Sequence, residues 1–288
     1  MIVKKISITK LIIENICLLI PLIIYGIYKN GYLIYQKGLI NIISILKPLY
    51  LVVISIIIKI LIDIIKYKKI KIDYNLVYVI LISMIMPYNV NLLFYALVFT
   101  ILYAITMYLE EKLKINKVCL IYLIIIGIHF MFNKFTYLSP LEENYQFSFG
   151  FLDFLMGRNI GSISTTSIFF SFLAYIYLIS NYYYKKDIPF IINISYLVPT
   201  FIYFIITNDS SLLLNSELIF ASIFICAIPK YSPYKINIQL IYSIFIGVLS
   251  FVVSLLFNRI IAVYIVTLIA SILLVFINRQ NQLFRNKK

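Results

Sequence analysis

The sequence predicts an all-α, polytopic membrane protein of about ten helical segments, built as two inverted five-segment repeats that each contain a short half-helix. Three observations carry this. Hydrophobic residues make up 63% of the 288, charged residues only 12%, and the mean hydropathy is +1.00. A soluble domain carries about a quarter charged residues. The apolar residues lie in runs of roughly 15 to 25, long enough to cross hydrocarbon. Backbone in lipid must satisfy its own hydrogen bonds, which leaves helices or a closed barrel, and these runs lack the alternation of barrel strands.

Taken in chain order, the apolar runs between charges and turn residues are 11–28, 42–65, 74–87, 91–109, 116–133, 162–183, 188–207, 215–229, 236–257 and 260–278. The first contains Glu14 and has no small-residue cleavage site, so it is expected to stay as a span and not to be a signal peptide. The third and eighth are too short to span comfortably, and each ends at a proline: Ile85-Met86-Pro87 and Ala227-Ile228-Pro229. The ten runs divide five and five around residues 135–161, so the expected organisation is a first membrane half (1–134), an extracytoplasmic loop (135–161) and a second half (162–288). An odd number of spans per half inverts the second half. Interrupted segments at matching positions point to an inverted-repeat core in which half-helix ends meet near the midplane, although prolines also often end hydrophobic runs.

Charge placement gives the orientation. With both termini in the cytoplasm, 18 of the 25 Lys and Arg residues fall in cytoplasmic segments, while Lys29, Lys37, Lys134, Arg158 and Arg259 fall outside. Lys47 and Lys59 lie within the second span. This is the positive-inside pattern, which supports the segment count, and the chain is expected in the cytoplasmic membrane. The net charge of +14 then reflects topology and attraction to anionic lipids, with no nucleic-acid partner required. Lys59 and Asp63 are four apart on one helix face, so they are expected to pair while Lys59 snorkels to water; Lys10 and Glu14 are expected to pair likewise.

Other chemistry is sparse. Cys17, Cys119 and Cys226 are scattered in apolar runs without metal-ligand spacing, so each is expected to be a buried structural residue. A single histidine, His129, argues against a histidine-based metal site and a catalytic triad. There is no P-loop and no paired carboxylate within a span, so no catalytic residue and no metal site are assigned. The outer loop is the exception. It carries Glu142, Glu143 and Asp153, then a run of glycines and hydroxyls, Asn159-Ile160-Gly161-Ser162-Ile163-Ser164-Thr165-Thr166-Ser167, at the mouth of the sixth segment. Free backbone N–H groups there suit a phosphate or another anion, although Ser and Thr also cap helices routinely.

Four stretches resemble one family. Gly161-Ser162-Ile163-Ser164-Thr165-Thr166-Ser167 is similar to the Gly-Ser-Ile-Gly-Glu-Thr-Ser stretch of RnfD, a membrane component of the Rnf electron-transport complex, and of its relative NqrB in the Na+-translocating NADH:quinone reductase. Thr136-Tyr137-Leu138-Ser139-Pro140-Leu141 resembles the family's Ser-Gly-Ala-Thr-Pro-Leu, with Ser139 in place of the threonine that carries FMN through a phosphoester. Phe224-Ile225-Cys226-Ala227-Ile228-Pro229-Lys230-Tyr231-Ser232-Pro233 and the segment around Pro87 echo two further motifs, in order along the chain.

The resemblance implies a membrane component of an ion-translocating Rnf/Nqr-like complex with FMN on the outer face. Attachment would be at Ser139, while Gly161, Ser162, Thr166 and Ser167 would help to place the cofactor or its phosphate, and riboflavin is a further flavin that such a protein could hold. Its partners would be the other membrane and peripheral subunits and the lipid bilayer. The protein would supply placement and electrostatics, and the flavin the redox chemistry. The alternative is a flavin-less transporter-like, channel-like or structural protein derived from the same scaffold. Tyr137, Leu138, Ser164, Thr165, Ala227 and Ile228 are where the sequence departs from the family pattern.

Overall fold

Among the described residues, five helical stretches are long and apolar enough to cross a membrane: Thr9–Gln36, Ile42–Tyr67, Asp187–Thr207, Ile236–Leu256 and Arg259–Ile277. Five shorter apolar helices, Asn75–Met84, Leu92–Tyr108, Lys117–Met131, Ile168–Ile179 and Ser216–Cys226, lie between them in the chain. The structure, a computed structural model, describes residues 8–36, 38, 40–109, 115–132 and 151–285. No strand occurs among the described residues, and all ten predicted segments correspond to helices.

Helix α1 (Ile8–Ile27) runs into a five-residue π-helical turn, Tyr28–Tyr32, and a short α2 (Leu33–Gln36). A 3-10 turn, Ile42–Leu46, leads into α3 (Lys47–Tyr67), followed by α4 (Asn75–Met84), α5 (Leu92–Leu109), α6 (Lys117–Phe132), α7 (Phe151–Met156) and α8 (Ile168–Ile179). Then come α9 (Asp187–Thr207), α10 (Ser216–Ala221) with a π-helical continuation Ser222–Cys226, α11 (Ile236–Leu256) and α12 (Arg259–Arg285). The described residues form two compact units, one within Met1–Met107 and Ile124–Phe170, the other within Tyr108–Leu123 and Ser171–Lys288. The chain passes from one to the other within α5, α6 and α8, so the units do not coincide with contiguous halves of the sequence.

The same order of features recurs in each unit. In the first, the 21-residue α3 begins with Pro48 in its first turn and closes on Lys68 in the left-handed conformation (φ 54°), whose N–H returns to the Ile64 carbonyl. The half-helix α4 starts at Asn75, and Pro87 follows its end. In the second, the 21-residue α9 has Pro189 in its first turn and closes on Asn208 (φ 56°), whose N–H returns to Phe204. Here the half-helix is capped by Asn215, whose side chain accepts from the Leu218 N–H, and Pro229 follows its end. Proline is tolerated in a first turn, where its missing N–H would have no partner, and a left-handed residue closes a helix by turning the chain away.

Several expectations need correction. The sixth segment is expected to be helical from residue 162, but α8 begins at Ile168, and 162–167 is non-helical. Ser and Thr are near neutral on a hydropathy scale, so the apolar window runs through them. Lys59 does pair with Asp63 (2.5 Å), but it does not snorkel: its side chain is 1% exposed, and Asp73 at 3.3 Å is a third member of the cluster. The Lys10–Glu14 pair forms at 3.8 Å. Cys119 and Cys226 are buried as expected, whereas Cys17 is exposed on α1.

Candidate functional site

In the first unit, the C-terminal end of α1 meets the hydroxyl-rich segment 159–167. The π-helical turn Tyr28–Tyr32 takes in more residues per turn than an α-helix, and it carries Lys29, Asn30 and Gly31 into the interior. Gly31 lies against the 3-10 turn, where a Cβ would stand 3.0 Å from the Ile45 Cα. The Lys29 ammonium donates to the Thr166 hydroxyl (3.1 Å) and to the Asn159 carbonyl, and its side chain is fully buried. Asn30 donates through Nδ2 to the Ile163 carbonyl at 2.7 Å.

The other side of the segment closes the half-helix. The N–H groups of Ile163 and Ser164 donate to the carbonyls of Met86 (2.9 Å) and Met84 (3.2 Å). A helix that ends in an apolar interior leaves carbonyls without partners, and such ends persist only where other groups satisfy them. Segment 162–167 supplies two of the missing donors. Close approach is needed for this: a Cβ on Gly26 of α1 would stand 2.6 Å from the Ile163 carbonyl oxygen. Gly157, at φ +95°, makes the turn after α7, where a Cβ would lie 2.7 Å from the backbone of Ser167.

Of the residues singled out in the sequence, Gly161, Ser162, Thr166 and Ser167 are all buried on this one segment. Ser167 caps α8, accepting from the Phe170 N–H at 3.4 Å. Ser139 lies outside the described residues. Lys29, which the charge pattern assigns to an outer loop, is instead buried at the centre of the site. A lysine at the end of an apolar run followed by Asn-Gly looks like the start of a loop, and only the π-helical turn brings it inward. Two buried hydroxyls, those of Ser164 and Tyr25, have no hydrogen-bond partner among the described residues. Tyr25 packs against Phe170, ring centroids 6.0 Å apart.

A match to a family model spans residues 1–285 and is described as the NQR2, RnfD, RnfE family. The chain belongs to this family. Membership makes it a multi-pass membrane protein of a multi-subunit ion-translocating complex, concerned with electron and ion transport. No individual curated protein matches the chain.

The second unit holds a buried acid that the sequence alone does not single out. Glu217, in the first turn of α10 and 1% exposed, accepts from the Tyr264 hydroxyl at 2.7 Å. The Tyr264 ring lies 4.6 Å from that of Tyr122. Near a helix N-terminus the backbone dipole favours a negative charge. Asn215 holds this turn in place, donating to the Arg259 carbonyl at 3.0 Å. The connection between α8 and α9 adds a further polar group, Lys185, whose ammonium donates to the Ser232 and Pro233 carbonyls. Among the described residues no group of His, Cys, Asp and Glu could hold a metal ion.

Proposed function

We propose that this chain is a flavin-bearing component of an Rnf/Nqr-like electron-transport complex in the cytoplasmic membrane, with both termini in the cytoplasm and FMN at segment 159–167. The observation that carries the proposal is the buried Lys29 ammonium held on Thr166 and the Asn159 carbonyl, in the stretch where the family's flavin motifs fall. A buried cation costs several kcal/mol unless anions or dipoles compensate it. The Asn159 carbonyl and the Thr166 hydroxyl supply such dipoles, and a phosphate or the electron-rich edge of a flavin would add to them.

The residues present fit the group. Lys29 would offset negative charge on the cofactor, the Ser164 and Thr166 hydroxyls would hydrogen-bond it, and Tyr25 and Phe170 would flank it. FMN, when bound, supplies one- and two-electron redox chemistry. The chain orients it, excludes water around it and sets its potential through the nearby charge. Ser139 is the proposed attachment point, since a serine hydroxyl can form the same phosphoester as threonine. Electrons would arrive from reduced ferredoxin or a nicotinamide through partner subunits. The orientation is supported by the division of basic residues, 18 in cytoplasmic segments against four outside once the buried Lys29 is set aside.

Flavin content of the purified complex tests the site. Lys29→Met and Thr166→Ala are expected to lower the fraction of this chain that acquires flavin while the complex still assembles. Flavin that remains in Lys29→Met is expected to show a lower midpoint potential, because a fixed cation favours the reduced, more anionic form. A correctly assembled wild-type complex whose copy of this chain carries no flavin would favour the transporter-like alternative.

A further inference from the structure

Outside the proposed flavin site, the second unit contains a cluster of oxygens that converge on one positive charge without any carboxylate. Lys185 lies between α8 and α9, half-buried. Its ammonium donates to the Ser232 carbonyl (2.8 Å), the Ser232 hydroxyl (2.8 Å) and the Pro233 carbonyl (3.0 Å), with the Pro229 carbonyl at 3.5 Å. The Tyr234 ring forms a further side, its centroid 4.3 Å from Nζ. No ion pair involves Lys185 among the described residues. Burial lowers its pKa to about 8, so the amine is still charged at neutral pH.

The loop is built independently of the lysine. The N–H groups of Tyr231 and Ser232 both return to the Ile228 carbonyl, at 3.1 and 3.0 Å, and the Ser232 hydroxyl donates to the same carbonyl at 2.8 Å. That leaves the hydroxyl oxygen free to accept. Gln239 of α11 donates to the carbonyls of Pro233 (3.0 Å) and Tyr234 (3.1 Å) and pins the far side. Pro229 and Pro233 restrict the backbone. The oxygens are therefore preorganised around a point that a cation occupies.

We propose that residues 229–233 form a monovalent-cation cage of potassium or ammonium size, and that the Lys185 ammonium is its built-in cation. Neutral carbonyl and hydroxyl oxygens suit a single charge, as carbonyl rings do where they replace the hydration shell of potassium. Divalent ions bind oxygen at about 2.1–2.6 Å, and the shortest distances here are 2.8 Å. Sodium, with shorter bonds than potassium, needs a contraction that the two prolines and Gln239 resist. In the native chain the tether keeps the cage filled and ties the α8–α9 connection to the loop after the half-helix. When the amine is removed, a free potassium ion takes its place.

The test is thermal unfolding of the full-length protein in detergent, in potassium, sodium or choline chloride at equal ionic strength. Wild type is expected to unfold at the same temperature in all three salts. Lys185→Met is expected to be less stable in choline, to recover saturably with potassium and to recover less with sodium. Adding Ser232→Ala to Lys185→Met removes the hydroxyl oxygen and is expected to raise the half-saturating potassium concentration about tenfold, the equivalent of ~1.4 kcal/mol. The proposal is overturned if Lys185→Met is equally stable in the three salts, if wild type shows the same potassium response, or if the variant folds in none of the salts.

Discussion

Replacing Lys29 by methionine removes the charge but keeps most of the apolar stem. In the structure this deletes two charge-assisted hydrogen bonds, to Thr166 at 3.1 Å and to the Asn159 carbonyl. Such bonds contribute about 1.5–3 kcal/mol each. Part of that loss is returned, because a buried ammonium is costly to desolvate. The net destabilisation worked from these terms is ~2–3 kcal/mol. For a chain of this size it lowers the midpoint of thermal unfolding by about 3–5 °C. The effect is also local. The Ile163 and Ser164 amides, which donate to Met86 and Met84, lie in the segment that Lys29 holds, and their hydrogen exchange should quicken in the variant. Thermal unfolding in detergent gives the first number, and exchange followed by mass spectrometry over 159–167 gives the second. Unchanged stability together with unchanged protection of Ile163 and Ser164 would refute the reasoning, because the ammonium would then not hold this segment.

Three further outcomes follow from the same geometry. Gly26→Ala brings a Cβ to 2.6 Å from the Ile163 carbonyl oxygen and is expected to cost ~1–3 kcal/mol; Gly127→Ala in α6 meets nothing within 4 Å and should be neutral or stabilising by up to ~1 kcal/mol, a contrast that unfolding midpoints will read directly. Lys59→Met leaves Asp63 buried and charged and should cost ~3–5 kcal/mol, whereas the double variant Lys59→Met with Asp63→Asn should recover most of it, a coupling that a double-mutant cycle measures. Lys68→Gly relieves the left-handed backbone at φ 54° and should stabilise the end of α3 by up to ~1 kcal/mol; Asn208→Gly at φ 56° should change little, because asparagine already tolerates that conformation, and paired unfolding midpoints check both.

The spans were legible because hydropathy is additive along a run. A stretch such as Ile42–Tyr67 announces itself whatever its neighbours do. The half-helices were legible for a similar reason, since a short apolar run that stops at Pro87 or Pro229 has few other readings. Lys59 and Asp63 could be paired from their spacing alone, but Asp73 could not, because it reaches the pair from beyond the helix end. The sequence pointed to the candidate site through Gly161, Ser162, Thr166 and Ser167, while Lys29 escaped it. Its inward turn depends on a π-helical insertion, for which no residue pattern is diagnostic, and its partners lie 130 and 137 positions away. Glu217 was hidden in a similar way. In the sequence it sits at the polar border of an apolar run, and only the fold brings the Tyr264 hydroxyl onto it.

The central claim is that this chain carries a flavin bonded to Ser139, and in-gel fluorescence tests it most directly. The chain, co-expressed with its genomic neighbours, is denatured, run on a gel and illuminated beside Ser139→Ala. Fluorescence that survives denaturation in the wild type and disappears in Ser139→Ala is the predicted result. A dark wild-type band from folded, matured protein would contradict covalent flavin attachment at Ser139 and move the reading toward a transporter-like or structural descendant of this scaffold.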